Sequence, residues 1–156
     1  MIDLSGPGEW YSRWPHFKPQ EFACKCCGDL PPELDVELLD NLELLRALLK
    51  QPLRINSGHR CRKHNLVVKG SAYSQHKNLA VDVSLHGIDP LTIYTAAVQL
   101  GFLGIGLGDS FIHLDMRRKI DGYQPPKQLT IWYYSEAGKK KWREILDKQQ
   151  SAPAVG

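Results

Sequence analysis

Two histidines and one aspartate in the middle of the sequence are of the kinds that bind zinc. His76 stands six residues before Asp82, and His113 lies in a later segment. Two imidazoles and one carboxylate leave a fourth position open on a tetrahedral zinc ion. That is the catalytic arrangement, in which the metal lowers the pKa of bound water to about 7 and polarises a carbonyl. Spacing alone does not establish such a site, because a lone histidine or aspartate is usually a satisfied surface or core residue.

The two segments around these residues have the alternating pattern of β-strands. In LAVDVSL, residues 79–85, apolar side chains occupy every second position, which predicts a strand with one face in the core and Asp82 on the other. In the later segment His113, Asp115 and Arg117 are two residues apart and therefore share a face. The three candidate ligands can converge if the two strands are neighbours in one sheet.

The rest of the chain predicts an α+β fold. Leucines at helical spacing indicate the first long helix, and the pair Asp89-Pro90 with Gly101 delimits the second. The predicted elements are a helix at 33–50, a strand at 53–56, a helix at 90–100, a hairpin within 101–117, a strand at 129–134 and a helix at 136–148. Their order predicts a small antiparallel sheet packed against helices, with the zinc site at the sheet. We expect one domain over 1–150, with an irregular lead-in at 1–20 and a disordered tail at 151–156.

Composition limits the classes of function. The chain has 156 residues, of which 42% are hydrophobic and 24% charged, as in ordinary globular proteins. No apolar run approaches the roughly 18 residues that span a bilayer, and the first residues lack the pattern of a signal peptide. The net charge of +3 is too small to indicate a nucleic-acid partner. We expect a chain that is cytoplasmic as synthesised, without nucleic-acid binding or membrane insertion.

Four cysteines leave three alternatives open. Cys24, Cys26 and Cys27 crowd into the segment CKCCG, and Cys61 follows in HRCRKHN. They could form disulfides, hold a second metal ion or remain unpaired thiols. Without an export signal, thiols or a metal are favoured over disulfides, and unpaired thiols are the interpretation that we prefer.

Four segments in order resemble one peptidase family. They are HFKPQEFAC, LRINSGHRCRKHN, SAYSQHKNLAVDV and GFLGIGLGDSFIHLDMR. The run from Phe17 to Trp132 resembles the zinc D-Ala-D-Ala carboxypeptidase and L-Ala-D-Glu endopeptidase family, which includes VanY- and VanX-like peptidases and several phage endolysins. The last segment is similar to the branch that carries His-x-Asp-x-Arg.

The resemblance implies roles for five residues. His76, Asp82 and His113 match the three zinc ligands. Ser74 matches the serine that contacts substrate, and Arg60 matches the arginine that meets the substrate carboxylate or the developing oxyanion. A surface salt bridge is the alternative role for Arg60.

One spacing departs from the family pattern. The family places the ligand aspartate seven positions after the ligand histidine, whereas here the difference is six and the glycine of the motif is missing. Because Ala80 and Asp82 are kept, the lost residue falls in the turn Lys77-Asn78-Leu79. Asparagine tolerates a positive φ, so we expect Asn78 to replace the glycine.

The general base is a second departure. VanX-like members and some endolysins place a glutamate three residues before the last histidine, where this chain has Ser110. The remaining candidates are Asp115, Asp109 and Glu136. Asp115 is predicted to lie on the same strand face as His113, and we favour it because this aspartate is part of the signature of the His-x-Asp-x-Arg branch that the chain resembles. The alternative is that it orients His113 instead.

The expected function is zinc-dependent hydrolysis of an amide bond in the peptide stem of bacterial peptidoglycan, by a monomer. Asp115 would move the proton and Arg60 would anchor the substrate. A wall hydrolase without an export signal would act after release, as a phage endolysin does through a holin. The alternative is a catalytically silent zinc-binding module that docks on cell wall or on a phage structural protein, because position 110 lacks the acid and the turn is shortened.

Overall fold

The computed structural model describes residues 7–151, which contain six α-helices and five β-strands. The helices are α1 (Pro7–Arg13), α2 (Pro19–Phe22), α3 (Val36–Leu49), α4 (Arg62–Val67), α5 (Pro90–Leu100) and α6 (Glu136–Ser151). The strands are β1 (Ile55–Ser57), β2 (Val81–Ser84), β3 (Gly104–Leu107), β4 (Phe111–Asp115) and β5 (Thr130–Tyr133), and a 3₁₀ helix spans Gln75–Lys77. None of these helices is long and apolar enough to cross a membrane.

The five strands form one mixed sheet in the order β1-β2-β4-β3-β5. Three neighbouring pairs are antiparallel, whereas β5 pairs with β3 in parallel. The α+β class is confirmed, but the expectation of an antiparallel sheet is wrong for this last pair. The connection at 116–129 is too long for a hairpin and carries the chain to the far side of β3, which permits a parallel partner.

Capping residues delimit the two helices that the sequence predicted best. The Asp35 side chain accepts a hydrogen bond from Leu38 N at 3.1 Å, so α3 begins later than the predicted position 33. The Asp89 side chain accepts from Thr92 N at 3.0 Å, and Gly101 ends α5 with a φ of 87°. The prediction of a helix at 90–100 is confirmed, because both of its signals act locally.

The core lies between α3, α5, α6 and one face of the sheet. Its fully buried members from the strands are the alternate apolar residues of β2, β3 and β4: Val81, Val83, Ile105, Leu107, Ile112 and Leu114. Because side chains alternate across a strand, burying this face leaves the residues between them, such as Asp82, on the other face.

The lead-in at 1–20 is not irregular where the structure describes it. It contains α1 and the start of α2, and its indole groups are anchored by hydrogen bonds. Trp10 Nε1 donates to Phe17 O at 2.9 Å, and Trp14 Nε1 donates to Asp40 Oδ1 at 2.9 Å. Helices this short depend on tertiary packing, which the local pattern does not reveal.

Two other boundaries differ from the sequence predictions. The basic segment after Gly58 contains α4, a helix that the sequence did not predict. The final helix continues through Ser151, the first residue of the predicted tail, and residues 152–156 lie outside the described part of the chain.

Candidate metal centre

The three predicted ligands meet at one point of the sheet. Asp82 on β2 and His113 on β4 are register partners, and the 3₁₀ helix places His76 above them. Asp82 Oδ1 lies 3.3 Å from His76 Nε2 and 3.2 Å from His113 Nδ1, and the two ring nitrogens are 3.2 Å apart. A tetrahedral zinc with bonds of about 2.1 Å would hold its ligand atoms about 3.4 Å from one another, so this donor set fits a zinc ion.

Hydrogen bonds on the outer sides of the rings fix which nitrogens are free. His76 Nδ1 lies 2.7 Å from Gly58 O, and His113 Nε2 lies 2.6 Å from Asp115 Oδ2. Both partners accept, so the outer nitrogens carry the protons and the inner nitrogens present lone pairs. When both rings are neutral, three acceptor atoms therefore face one another, and either a metal cation between them or an additional ring proton removes the conflict.

Electrostatics follow from this burial and pairing. Burial raises the pKa of the Asp82 carboxyl, but the hydrogen bonds with His113 and His76 outweigh it and hold that pKa well below its ordinary value. Burial lowers the pKa of His76. Burial also lowers the pKa of His113, but its bonds with Asp115 and Asp82 more than offset this and raise it. Asp82 is thus a carboxylate at neutral pH, as a metal ligand must be.

Asp115 lies behind His113 rather than beside the free ligand positions. Its exposed fraction is 0%, and its second oxygen, Oδ1, accepts from Arg117 N at 2.7 Å. Gly104 on the neighbouring strand makes room for it, because a Cβ there would overlap the Asp115 carboxylate. Burial raises the pKa of Asp115, but His113 and Arg117 lower it by more, so its pKa lies below the ordinary value and the group is ionised at neutral pH.

A cleft of about 470 Å³ opens onto this centre. Its walls are partly aromatic and partly basic. Trp132 packs near His113, with 5.1 Å between ring centroids, and Tyr134 lies on the same side. Further lining residues are Arg60, Tyr73, Ser74, His76 and Arg117. A cleft of this size admits a short peptide segment.

Arg60 is held in the cleft wall by the chain around it. Its backbone N donates to His76 O at 2.6 Å, and its Nη1 donates to Asn65 Oδ1 at 3.3 Å. Burial lowers its pKa. Its Nε is buried and has no hydrogen-bond partner within the described residues. The alternative of a surface salt bridge has no support here, since the structure gives Arg60 no ion pair among those residues.

Arg117 is a second basic residue of the cleft to which the sequence analysis assigned no role. Its guanidinium lies 5.3 Å from the Trp132 ring centroid, and Nη1 is 3.6 Å from Asp115 Oδ2. Its Nε is also buried without a partner in the described residues. The signal that could have found it is its place two residues after Asp115 in the His-x-Asp-x-Arg run, although β4 ends at Asp115 and Arg117 has a φ of 53°, so the predicted shared strand face does not extend to it.

The shortened turn is built without a left-handed residue. Asn78 has a φ of −92°, so the expectation that it would take a positive φ is wrong. The 3₁₀ helix makes the turn instead, and Ser74 Oγ caps it by accepting from His76 N at 3.2 Å. Asn78 Nδ2 donates to Lys119 O at 2.9 Å, which secures the end of the turn. The ligands meet despite the shorter spacing.

The other candidate acids lie outside the cleft. Asp109 is exposed and lies 3.5 Å from Lys141 Nζ. Glu136 is exposed at the start of α6, and neither of the two lines the cleft. Ser110 occupies the turn between β3 and β4 and is also exposed. Among the described lining residues, Asp115 is the only one with a carboxylate.

Comparison with protein families identifies a match for most of the chain. The model of the family described as Peptidase M15 matches residues 15–115, well over half of the chain. The matched segment includes all three residues of the donor set together with Arg60, Ser74 and Asp115, whereas Trp132 and Tyr134 lie beyond it. Comparison with curated proteins gives no match.

Proposed function

Because the chain belongs to the peptidase M15 family of zinc D-Ala-D-Ala carboxypeptidases and VanX-like peptidases, we propose that it hydrolyses an amide bond in the peptide stem of peptidoglycan. Family membership makes it a metal-dependent peptidase. The proposal adds the metal, the residues that hold it and the substrate. The observation that carries it is the meeting of one carboxylate oxygen and two ring nitrogens at a single point. The outer nitrogen of each ring already has a hydrogen-bond acceptor.

His76, Asp82 and His113 would hold a zinc ion. When bound, zinc supplies an acidified water and a Lewis acid for the scissile carbonyl. The chain fixes the orientation of both rings through Gly58 O and Asp115, so the inner nitrogens need no rearrangement before they bind. Outer hydrogen bonds of this kind raise the basicity of a histidine ligand and fix its tautomer.

Asp115 is proposed to act as a positioning residue for His113. Both of its oxygens are already engaged, one by His113 Nε2 and one by Arg117 N, and the side chain is fully buried. A proton acceptor must reach the reacting water, whereas this carboxylate is bonded to the outer nitrogen of a ligand. The geometry therefore supports the orienting role over that of general base.

Arg60 and Arg117 are proposed to bind a substrate carboxylate. Each presents a buried Nε–H that lacks a partner, and an unpaired buried donor costs about 1–3 kcal/mol until a ligand satisfies it. Guanidinium groups suit this task because their donors match the geometry of a carboxylate. Ser74 at the rim can offer its hydroxyl to the peptide backbone. A stem peptide supplies a carboxylate close to the scissile bond.

Mass analysis of stem peptides tests the proposal directly. Zinc-loaded protein should release a new amine and shorten the peptide by a defined fragment, and the fragment identifies the bond. The double variant His76→Ala/His113→Ala is the matched control and should release nothing. A wild-type protein that holds zinc and binds the peptide without releasing an amine would contradict peptidase activity.

The alternative function is a zinc-binding module without turnover, docking on cell wall or on a phage structural protein. It draws support from the absence of an unengaged carboxylate among the described residues of the cleft. Under this alternative the same peptide binds, Arg60→Ala weakens that binding, and no fragment appears at any enzyme concentration.

A further inference from the structure

A second group of metal-binding side chains lies outside the cleft. The sulfurs of Cys24, Cys26 and Cys61 all lie within 4.8 Å of one another. Cys26 Sγ and Cys61 Sγ are 3.7 Å apart. A tetrahedral zinc ion with bonds of about 2.3 Å to sulfur would hold its sulfurs about 3.8 Å apart. Cys27 follows Cys26 directly in the chain, and its sulfur is not within that distance of all three.

The chain around Cys24 has the form of a metal-binding turn. Cys24 and Cys27 are spaced as C-x2-C, and Gly28 follows with a φ of 78°. Gly28 N donates to Cys24 O at 2.7 Å, which closes the turn. The spacing and the glycine are those of a zinc ribbon or knuckle, although the additional Cys26 obscures them in the sequence.

Backbone N–H groups converge on the sulfurs. Cys61 N donates to Cys24 Sγ at 3.4 Å. His64 N donates to Cys61 Sγ at 3.3 Å. Such donors stabilise a thiolate, which is the form that binds metal, and they play the part of the outer hydrogen bonds around metal ligands.

We propose that Cys24, Cys26 and Cys61, whose sulfurs already lie together, hold a second, structural zinc ion, with the adjacent Cys27 as its fourth ligand. Four thiolates close the coordination shell, so this ion takes no part in hydrolysis. It joins the segment after α2 to the start of α4. Because α4 has six residues and cannot stand alone, the ion would fix the chain next to Arg60 in the cleft wall.

Metal content of variants tests this site independently of the peptidase function. Protein purified with zinc should contain about two ions per chain, and His76→Ala/His113→Ala should keep one. Cys24→Ser/Cys61→Ser should lose the structural ion and keep the ion held by His76, Asp82 and His113. With cobalt in place of zinc, a sulfur-to-cobalt charge-transfer band should persist in the histidine variant and vanish in the cysteine variant. The zinc content and the cobalt band of the cysteine site can be read in the histidine variant even though that variant has no peptidase activity.

Thiol chemistry covers the case in which the cysteine variant fails to fold. In the histidine variant, whose cysteines are intact, the thiols should react with a thiol reagent only after a chelator removes zinc. Equal reaction rates with and without chelator, together with no zinc in that variant, would overturn the proposal. An intact mass that shows the loss of two thiol hydrogens would also overturn the proposal, because Cys26 and Cys61 would then be joined as a disulfide.

Discussion

Replacing Asp115 by asparagine separates the two roles that this residue could have. Asp115 Oδ2 accepts from His113 Nε2 at 2.6 Å, and Oδ1 accepts from Arg117 N at 2.7 Å. An asparagine has one acceptor oxygen, so its amide group must face one of these two donors. Leaving a buried donor unsatisfied costs about 1–3 kcal/mol, which should lower the free energy of unfolding by that amount.

The larger diagnostic effect should fall on zinc affinity. If the Asp115 carboxylate orients His113 and raises its basicity, its loss should weaken zinc binding by about 10–100-fold, the usual cost of removing an outer partner of a ligand. That corresponds to about 1.4–2.7 kcal/mol of binding free energy. Competition with a coloured chelator at fixed pH measures the zinc Kd, and kcat should be compared at saturating zinc. Asp147→Asn, an exposed aspartate on α6, is the matched control.

The opposite outcome would refute the positioning role. A general base contributes to the transition state and little to metal binding, and its loss lowers the rate by about 10²–10⁴-fold. An Asp115→Asn protein with the zinc Kd of the wild type and a fall of that size in kcat at saturating zinc would show that Asp115 transfers the proton.

Three other perturbations follow from the same geometry. Zinc at 100 times the Kd of the His76–Asp82–His113 centre should raise the free energy of unfolding by about 2.7 kcal/mol and the Tm by roughly 5–11 °C. A thermal melt of His113→Ala should lose this increment and keep only the increment from the cysteine site. Arg60→Ala should raise KM with little change in zinc content. This increase in KM should be smaller for a substrate whose carboxylate is amidated. An equal increase with both substrates would exclude a contact between Arg60 and that carboxylate. Gly104→Ala should weaken zinc binding, because its Cβ would displace the Asp115 carboxylate, whereas Gly8→Ala in open space should leave the zinc Kd unchanged.

Sequence alone determined the features that arise from local interactions. Strand alternation placed Asp82 and His113 on the face of the sheet opposite the core. Their apolar neighbours along β2 and β4 are buried, as that pattern requires. Asp89 and Gly101 fixed the ends of α5, because a cap acts within one turn of the helix. The long helix α3 likewise follows from its leucine spacing.

Tertiary structure decided what depends on contacts between distant segments. The pairing of β2 with β4 brings together ligands from separate parts of the chain, and only that pairing sets which ring nitrogen of each histidine points inward. The orienting role proposed for Asp115 likewise depends on tertiary structure, because the His-x-Asp-x-Arg motif does not reveal that both carboxylate oxygens are engaged. Cys61 meets Cys24 and Cys26 although α3 and β1 separate them in the chain. Asn78 follows a 3₁₀ helix that the shortened motif did not predict. Local preferences are worth fractions of a kcal/mol per residue and define elements, whereas packing between elements fixes the distances on which chemistry depends.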